Sequence, residues 1–158
     1  MATVFLLGPG EWRRKQVGLS PLEHRRELAK LLREHGHRVI LMEDENDKDG
    51  EDMVEKFDRL LAQTTDVVLY WPAKAKMSTT YSEMILLRKA SESQDLPRLW
   101  FLHHEDVATI ERGVFKVIEP GSRSRYLTAV ARLGITPIPW RSVEELRART
   151  SLLAGELG

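Results

Sequence analysis

A chain of 158 residues is long enough for one domain with an interior of its own. Its 24 Lys and Arg balance 24 Asp and Glu, which leaves no basic excess to hold a nucleic acid backbone. Cysteine is absent, which excludes disulfides, thiolate metal sites and a cysteine nucleophile, and no apolar run approaches the ~20 residues that cross a bilayer.

Thr3 to Leu7 is an apolar, β-rich run stopped by Gly8-Pro9-Gly10, a strand followed by a turn. A polar stretch with Trp12, Arg13, Arg14 and Lys15 follows. Ser20-Pro21-Leu22-Glu23 then spells a helix start: Ser20 caps, Pro21 takes the first helical position and Glu23 reaches back. Leu22, Leu28, Leu31 and Leu32 give this helix an apolar face, and Gly36 ends it. His37 to Met42 is a second strand, running into the acidic stretch EDENDKDGED. Gly50 to Thr64 has helical spacing, with Val54, Phe57, Leu60 and Leu61 inward. Asp66 to Trp71 is the third strand, Tyr81 to Ser93 the third helix and Pro97 to His103 the fourth strand. Val114 to Ile118 alternates like a short edge strand. Ser124 to Leu133 reads as a helix closed by Gly134. Ile135 to Trp140, with two prolines, reads as a fifth strand at an edge, and Ser142 to Ala154 as a last helix opening on Ser142 and Glu145.

Strand and helix thus alternate about five times through short connections. That order predicts an α/β fold: a doubly wound, mainly parallel five-stranded sheet of order 2-1-3-4-5, flavodoxin-like, in one domain over residues 1 to 158. The opening MATVFLLGPGEWRRK does not spell a signal peptide, so a cytoplasmic protein is expected.

In such a sheet, ligands bind beyond the carboxyl ends of the strands where the order reverses, between strands 1 and 3. Two loops meet there. The first carries Gly8, Pro9, Gly10 and Arg13; the second carries Lys74 and Lys76 and leads to Ser78, Thr79 and Thr80 at a helix start. Basic side chains beside free helix N–H groups suit a phosphate or carboxylate, although solvated loop charges would look the same. Glu83 lies in the first turn of that helix. A carboxylate there can attack a sugar carbon, but Thr80-x-x-Glu83 is also a capping box, a device spelt again at Ser20/Glu23 and Ser142/Glu145.

Other constellations carry less. Glu45, Asp47, Asp49 and Gly50 faintly follow a calcium loop, but Lys56 stands where the bidentate Glu belongs, so no metal is expected. The acidic stretch is a solvated loop or a contact for ribose hydroxyls at the edge of the site. His103 and His104, like Tyr70 and Trp71, point to opposite faces of a strand, so at most one of each pair can meet a ligand. Gly8-Pro9-Gly10 lacks the GK[ST] of a Walker loop, and Ser78 lacks a nucleophile elbow.

VFLLGPG resembles the first strand and Gly-Pro turn of the nucleoside 2-deoxyribosyltransferase-like superfamily, and DVVLYW…TTYSEM resembles its third strand and G-T-x-x-E motif, over roughly residues 3 to 103. The resemblance implies cleavage or exchange of an N-glycosidic bond with Glu83 as nucleophile, and no cofactor. A distant likeness to TIR-type NAD hydrolases points the same way. The chain departs from the motif in three places. Pro72 stands near the position of an Asp that handles the base, Met77 replaces a second Asp, and Thr79 replaces the motif Gly. A hydrolase of a nucleotide or dinucleotide therefore fits better than a transferase of free nucleosides. The alternative is a non-catalytic nucleotide- or anion-binding module of the same fold. In both readings the partner is a small nucleoside or nucleotide, with no nucleic acid polymer and no membrane, and a homo-oligomer is consistent with family habit.

Overall fold

TVFLL forms the first strand, β1 (Thr3–Leu7), with its last four side chains buried. The structure is a computed structural model in which residues 1–9, 25–72, 78–112, 114–118, 128 and 131–158 are described. Successive β1 side chains enter different cores, Phe5 and Leu7 on one face and Val4 and Leu6 on the other. This two-sided burial explains the unbroken apolar run, because a parallel strand covered on both faces has no polar side to show.

Helix α1 (Arg25–Glu34) lays Leu28, Ala29 and Leu32 on the Val4 and Leu6 face. Strand β2 (Arg38–Ile40) pairs parallel with β1. It is shorter than its sequence suggests: Met42–Asp44 turn into a single 3₁₀ helix, where Glu43 and Asp44 meet Arg25 and Arg26. Helix α2 (Met53–Leu61) starts at an Asp52 cap, whose carboxylate accepts the Glu55 N–H at 2.8 Å, and buries Phe57, Leu60 and Leu61 on the other face. Val54, expected inward, is 37% exposed; it sits in the first turn beside a shallow groove shared with Leu86 and Lys89.

Strand β3 (Asp66–Trp71) is buried throughout and lies at the centre of the sheet. Helix α3 (Ser78–Ser91) packs Met84, Leu87 and Ala90 on the α2 side. Strand β4 (Arg98–His104) follows. Next come β5 (Ala108–Glu111) and β6 (Val114–Val117), an antiparallel pair in a sheet of its own. The segment read as an edge strand of the main sheet is therefore half of a separate hairpin. Residues 128 and 131 are helical, and the rest of the expected helix up to 130 lies outside the described residues. Strand β7 (Thr136–Trp140) and helix α4 (Val143–Glu156) close the chain, α4 placing Leu146 and Leu153 beside α1.

The main sheet has the order β2-β1-β3-β4-β7, and every pair in it is parallel. This is the doubly wound order read from the sequence. Pro137 and Pro139 sit on the edge strand, where a missing N–H costs no ladder bond. The order reverses between β1 and β3, which sets the place where a ligand site is expected.

Candidate active site

The site is built at the carboxyl ends of β1 and β3. Gly8 follows β1 with φ +149°, and a Cβ placed on it would stand 2.8 Å from the Tyr70 carbonyl oxygen. Both the backbone angle and the close approach to β3 call for glycine. The chain can therefore turn tightly here, and the Gly8 N–H points at the Glu83 carboxyl, donating to Oε1 at 3.3 Å. Residues 8 and 83 lie far apart in the chain but meet across neighbouring parallel strands.

Glu83 sits in the second turn of α3, not the first, because the helix opens at Ser78. Thr80 is thus inside the helix, and the Thr80/Glu83 capping-box reading fails. The side chain is only 7% exposed, and burial pushes its pKa up to about 8. The Arg25 charge and the Gly8 N–H pull the value down, and the charge of Glu43 pushes it up.

Above Glu83 opens a cleft of about 590 Å³. Its apolar wall is Met42, Met53 and Leu86, and its polar rim includes Glu43, Asp47, Glu51 and Asp52. These carboxylates come from the acidic stretch, which is exposed over most of its length, as a solvated loop is, and is also laced with ion pairs. Glu43 pairs with Arg25, Asp44 with Arg26 at 2.6 Å, Asp47 with Lys56 at 2.7 Å, and Glu51 with Arg59 at 2.6 Å. The Arg59 fork holds the Glu51 carboxyl down to about 2, so it stays ionised. Among the described residues, no group of three or more His, Asp or Glu is arranged to hold a metal ion.

The sequence missed Arg25. It is buried on the first described turn of α1, and each of its three nitrogens is engaged. Nη1 donates to the Leu6 carbonyl at 2.9 Å, Nε donates to the Pro9 carbonyl at 3.3 Å, and Nη2 binds Glu43. Nothing in the local pattern marks it, since two of its acceptors are backbone carbonyls.

Of the residues singled out from the sequence, Gly8 and Glu83 line the cleft together, and Pro9 is buried beside them as a partner of Arg25. Gly10, Arg13, Lys74 and Lys76 lie outside the described residues. Ser78, Thr79 and Thr80 form the first turn of α3. Tyr70 and Trp71 are core residues on opposite faces, Tyr70 stacked with Trp140 at 6.3 Å and Trp71 edge-on to Phe101 at 6.0 Å. His103 is buried beside Phe101, with its pKa lowered by desolvation, and His104 packs edge-on to Trp140 on the other face. Neither histidine lines the cleft.

The fold is shared with the solved structure of a CMP N-glycosidase from Clostridium botulinum, at a TM-score of 0.53 and 14% sequence identity, over 95% of this chain and 98% of that one. No protein-family model matches the chain, and no curated protein matches it. At that identity the likeness is one of fold. Among the described residues, no helix is long and apolar enough to cross a membrane.

Proposed function

We propose that this chain cleaves the N-glycosidic bond of a nucleoside, nucleotide or NAD-like ligand, with Glu83 as the nucleophile. The observation that carries the proposal is a carboxyl buried at the foot of a cleft of about 590 Å³, in hydrogen-bond reach of the turn after β1 at the sheet's switch point. A structural neighbour that acts on CMP supports the choice of ligand class.

In this reading Met42, Met53 and Leu86 receive the flat apolar part of the ligand. The helix start at Ser78 to Thr80, with Lys74, Lys76 and Arg13, receives its anionic part. A Glu83 oxygen bonds to C1′ as the C1′–N bond breaks. The base leaves with the bonding pair and takes up a proton, and water then attacks C1′ to release the sugar and restore the carboxylate. The transition state is oxocarbenium-like, so the ionised carboxyl stabilises it even before the new bond is complete.

Only the ionised form can attack. With the pKa pushed up to about 8, kcat/KM is expected to rise with pH and level off above about 8. Glu83→Gln keeps the size and the acceptor for the Gly8 N–H but removes the nucleophile. Base release should fall by at least about a hundredfold, with the fold intact by circular dichroism. A screen of nucleosides, nucleotides and NAD for free base, run from pH 6 to 9, supplies the assay.

The competing reading is a nucleotide- or anion-binding module. It draws on the same raised pKa, because a carboxyl that stays protonated at neutral pH donates a hydrogen bond instead of attacking. Saturable nucleotide binding with no base released by the wild-type chain anywhere in that pH range would establish the binding module. Replacing Lys74 and Lys76 together by Ala is expected to weaken nucleotide binding and flatten its salt dependence. Unchanged affinity would remove those lysines from the site.

A further inference from the structure

Arg25 places a buried cation next to the reacting centre without offering it to a ligand. Its guanidinium joins three pieces of chain: the end of β1 through the Leu6 carbonyl, the following turn through the Pro9 carbonyl, and the 3₁₀ turn after β2 through Glu43. Gly8 lies between the two carbonyls so held, and Arg25 Cδ stands 3.4 Å from where a Gly8 Cβ would be. The Gly8 N–H is the donor that meets Glu83. Burying a guanidinium is costly unless its donors are used, and here each of its nitrogens is. Lysine has no planar fork and could not hold three acceptors in this arrangement.

We propose that Arg25 is a positioning residue for Glu83: it locks the turn so that the Gly8 amide meets the carboxyl, and Glu43 sets how much of its charge remains to favour the ionised form. This rests on Glu83 being the working carboxyl of the site. The two effects are separable, one geometric and one electrostatic. The charges facing Glu83 are Arg25 from α1 and Glu43 from the turn after β2; the cleft is also lined by Arg26, Asp47, Glu51, Asp52 and Lys56. Of these, Arg25 and Glu43 act on it with opposite signs, Arg25 lowering its pKa and Glu43 raising it. Asp44 pairs with Arg26, which also stands 3.9 Å from Glu43; Asp47 pairs with Lys56, and Glu51 with Arg59.

The test follows the Glu83 carboxyl by carbon-13 NMR on the full chain, its resonance assigned by loss in Glu83→Gln, alongside the Gly8 amide. In the wild type the carboxyl should titrate near pH 8, and the Gly8 amide should shift with the same midpoint. Glu43→Gln should move the midpoint lower. Arg25→Gln should move it higher. Arg25→Lys, which keeps the charge and is the safer variant if Arg25→Gln does not fold, should uncouple the Gly8 amide from the titration. Where base release is measured, Glu43→Gln should raise the rate at pH 7 severalfold with little change in KM. An unchanged midpoint in Glu43→Gln, or a Gly8 amide still tracking the carboxyl in Arg25→Lys, overturns the proposal. If Glu83→Gln keeps full base release, the nucleophile assignment fails, while the titration still decides what Arg25 does.

Discussion

A carboxyl with a raised pKa burdens the folded state whenever it ionises. Glu83 has an ordinary value near 4.5 in the unfolded chain and about 8 in the folded one. The unfolded chain therefore binds fewer protons between those values, and stability must fall as pH rises from about 5 towards 8. Glu83→Gln removes this dependence. It should leave the protein more stable than wild type at pH 8 by up to a few kcal/mol and close to wild type at pH 5, read by urea denaturation at both pH values. A gain in stability with a loss of activity is what a functional carboxyl held against its own preference would give. Gly8 is the other residue whose role can be isolated. Gly8→Ala puts a methyl 2.8 Å from the Tyr70 carbonyl on a backbone at φ +149°, so about 1–3 kcal/mol of stability should be lost as the turn shifts. The shift also withdraws the amide from Glu83, so any base release should fall with it.

At the level of elements, the helix caps show which local patterns can be trusted. Ser142 caps α4 as read, its hydroxyl accepting the Glu145 N–H at 3.2 Å. Ser142→Ala should cost about 1 kcal/mol, seen as a lower urea midpoint with an unchanged slope. Asp52-x-x-Glu55 is the same device and went unread, because the acidic run drew attention to charge instead of to the N–H groups behind it. Thr80-x-x-Glu83 has the spacing but not the role: α3 begins one stage earlier at Ser78, and the pattern then falls on consecutive turns. A four-residue signature marks a possible cap; where the helix begins is set by its packing on the sheet. The hairpin β5–β6 was only half legible, since Arg112 makes its turn at φ +51° without the Asn-Gly signal that usually announces one. The parallel strands were easy by comparison. Burial on both faces leaves continuous apolar runs, and short connections leave little choice of order. The placement of Gly8 against Glu83 followed from that order. Arg25 did not, since its fork reads carbonyls and one carboxylate brought close only by the fold.

Across the whole molecule, the sheet separates two buried carboxylates by the length of its central strand, roughly 17 Å for six residues. Asp66 opens β3 at the amino edge and is fully buried there. Burial alone would raise its pKa, but hydrogen bonds from Trp100 Nε1, Thr65 Oγ1 and the Gly158 N–H, with the charge of Arg98, outweigh that and hold it below the ordinary value. This carboxylate ties β3 to β4 and to the chain beyond α4. Its contribution is present above its unfolded pKa near 3.8 and lost as pH falls through the lower folded value. Glu83, at the carboxyl edge, has the opposite sign, so the two ends of one sheet bound the pH range of stability from opposite sides. Wild type should be most stable between about pH 4 and 5 and lose stability in both directions. Asp66→Asn should cost roughly 1–3 kcal/mol at neutral pH, through the charged acceptor it removes, while leaving kcat/KM for base release unchanged at temperatures where the chain stays folded. Glu83→Gln should do the reverse. Measuring stability and base release in both variants tests whether the amino edge holds the fold while the carboxyl edge carries the chemistry; a loss of turnover in folded Asp66→Asn would refute that division.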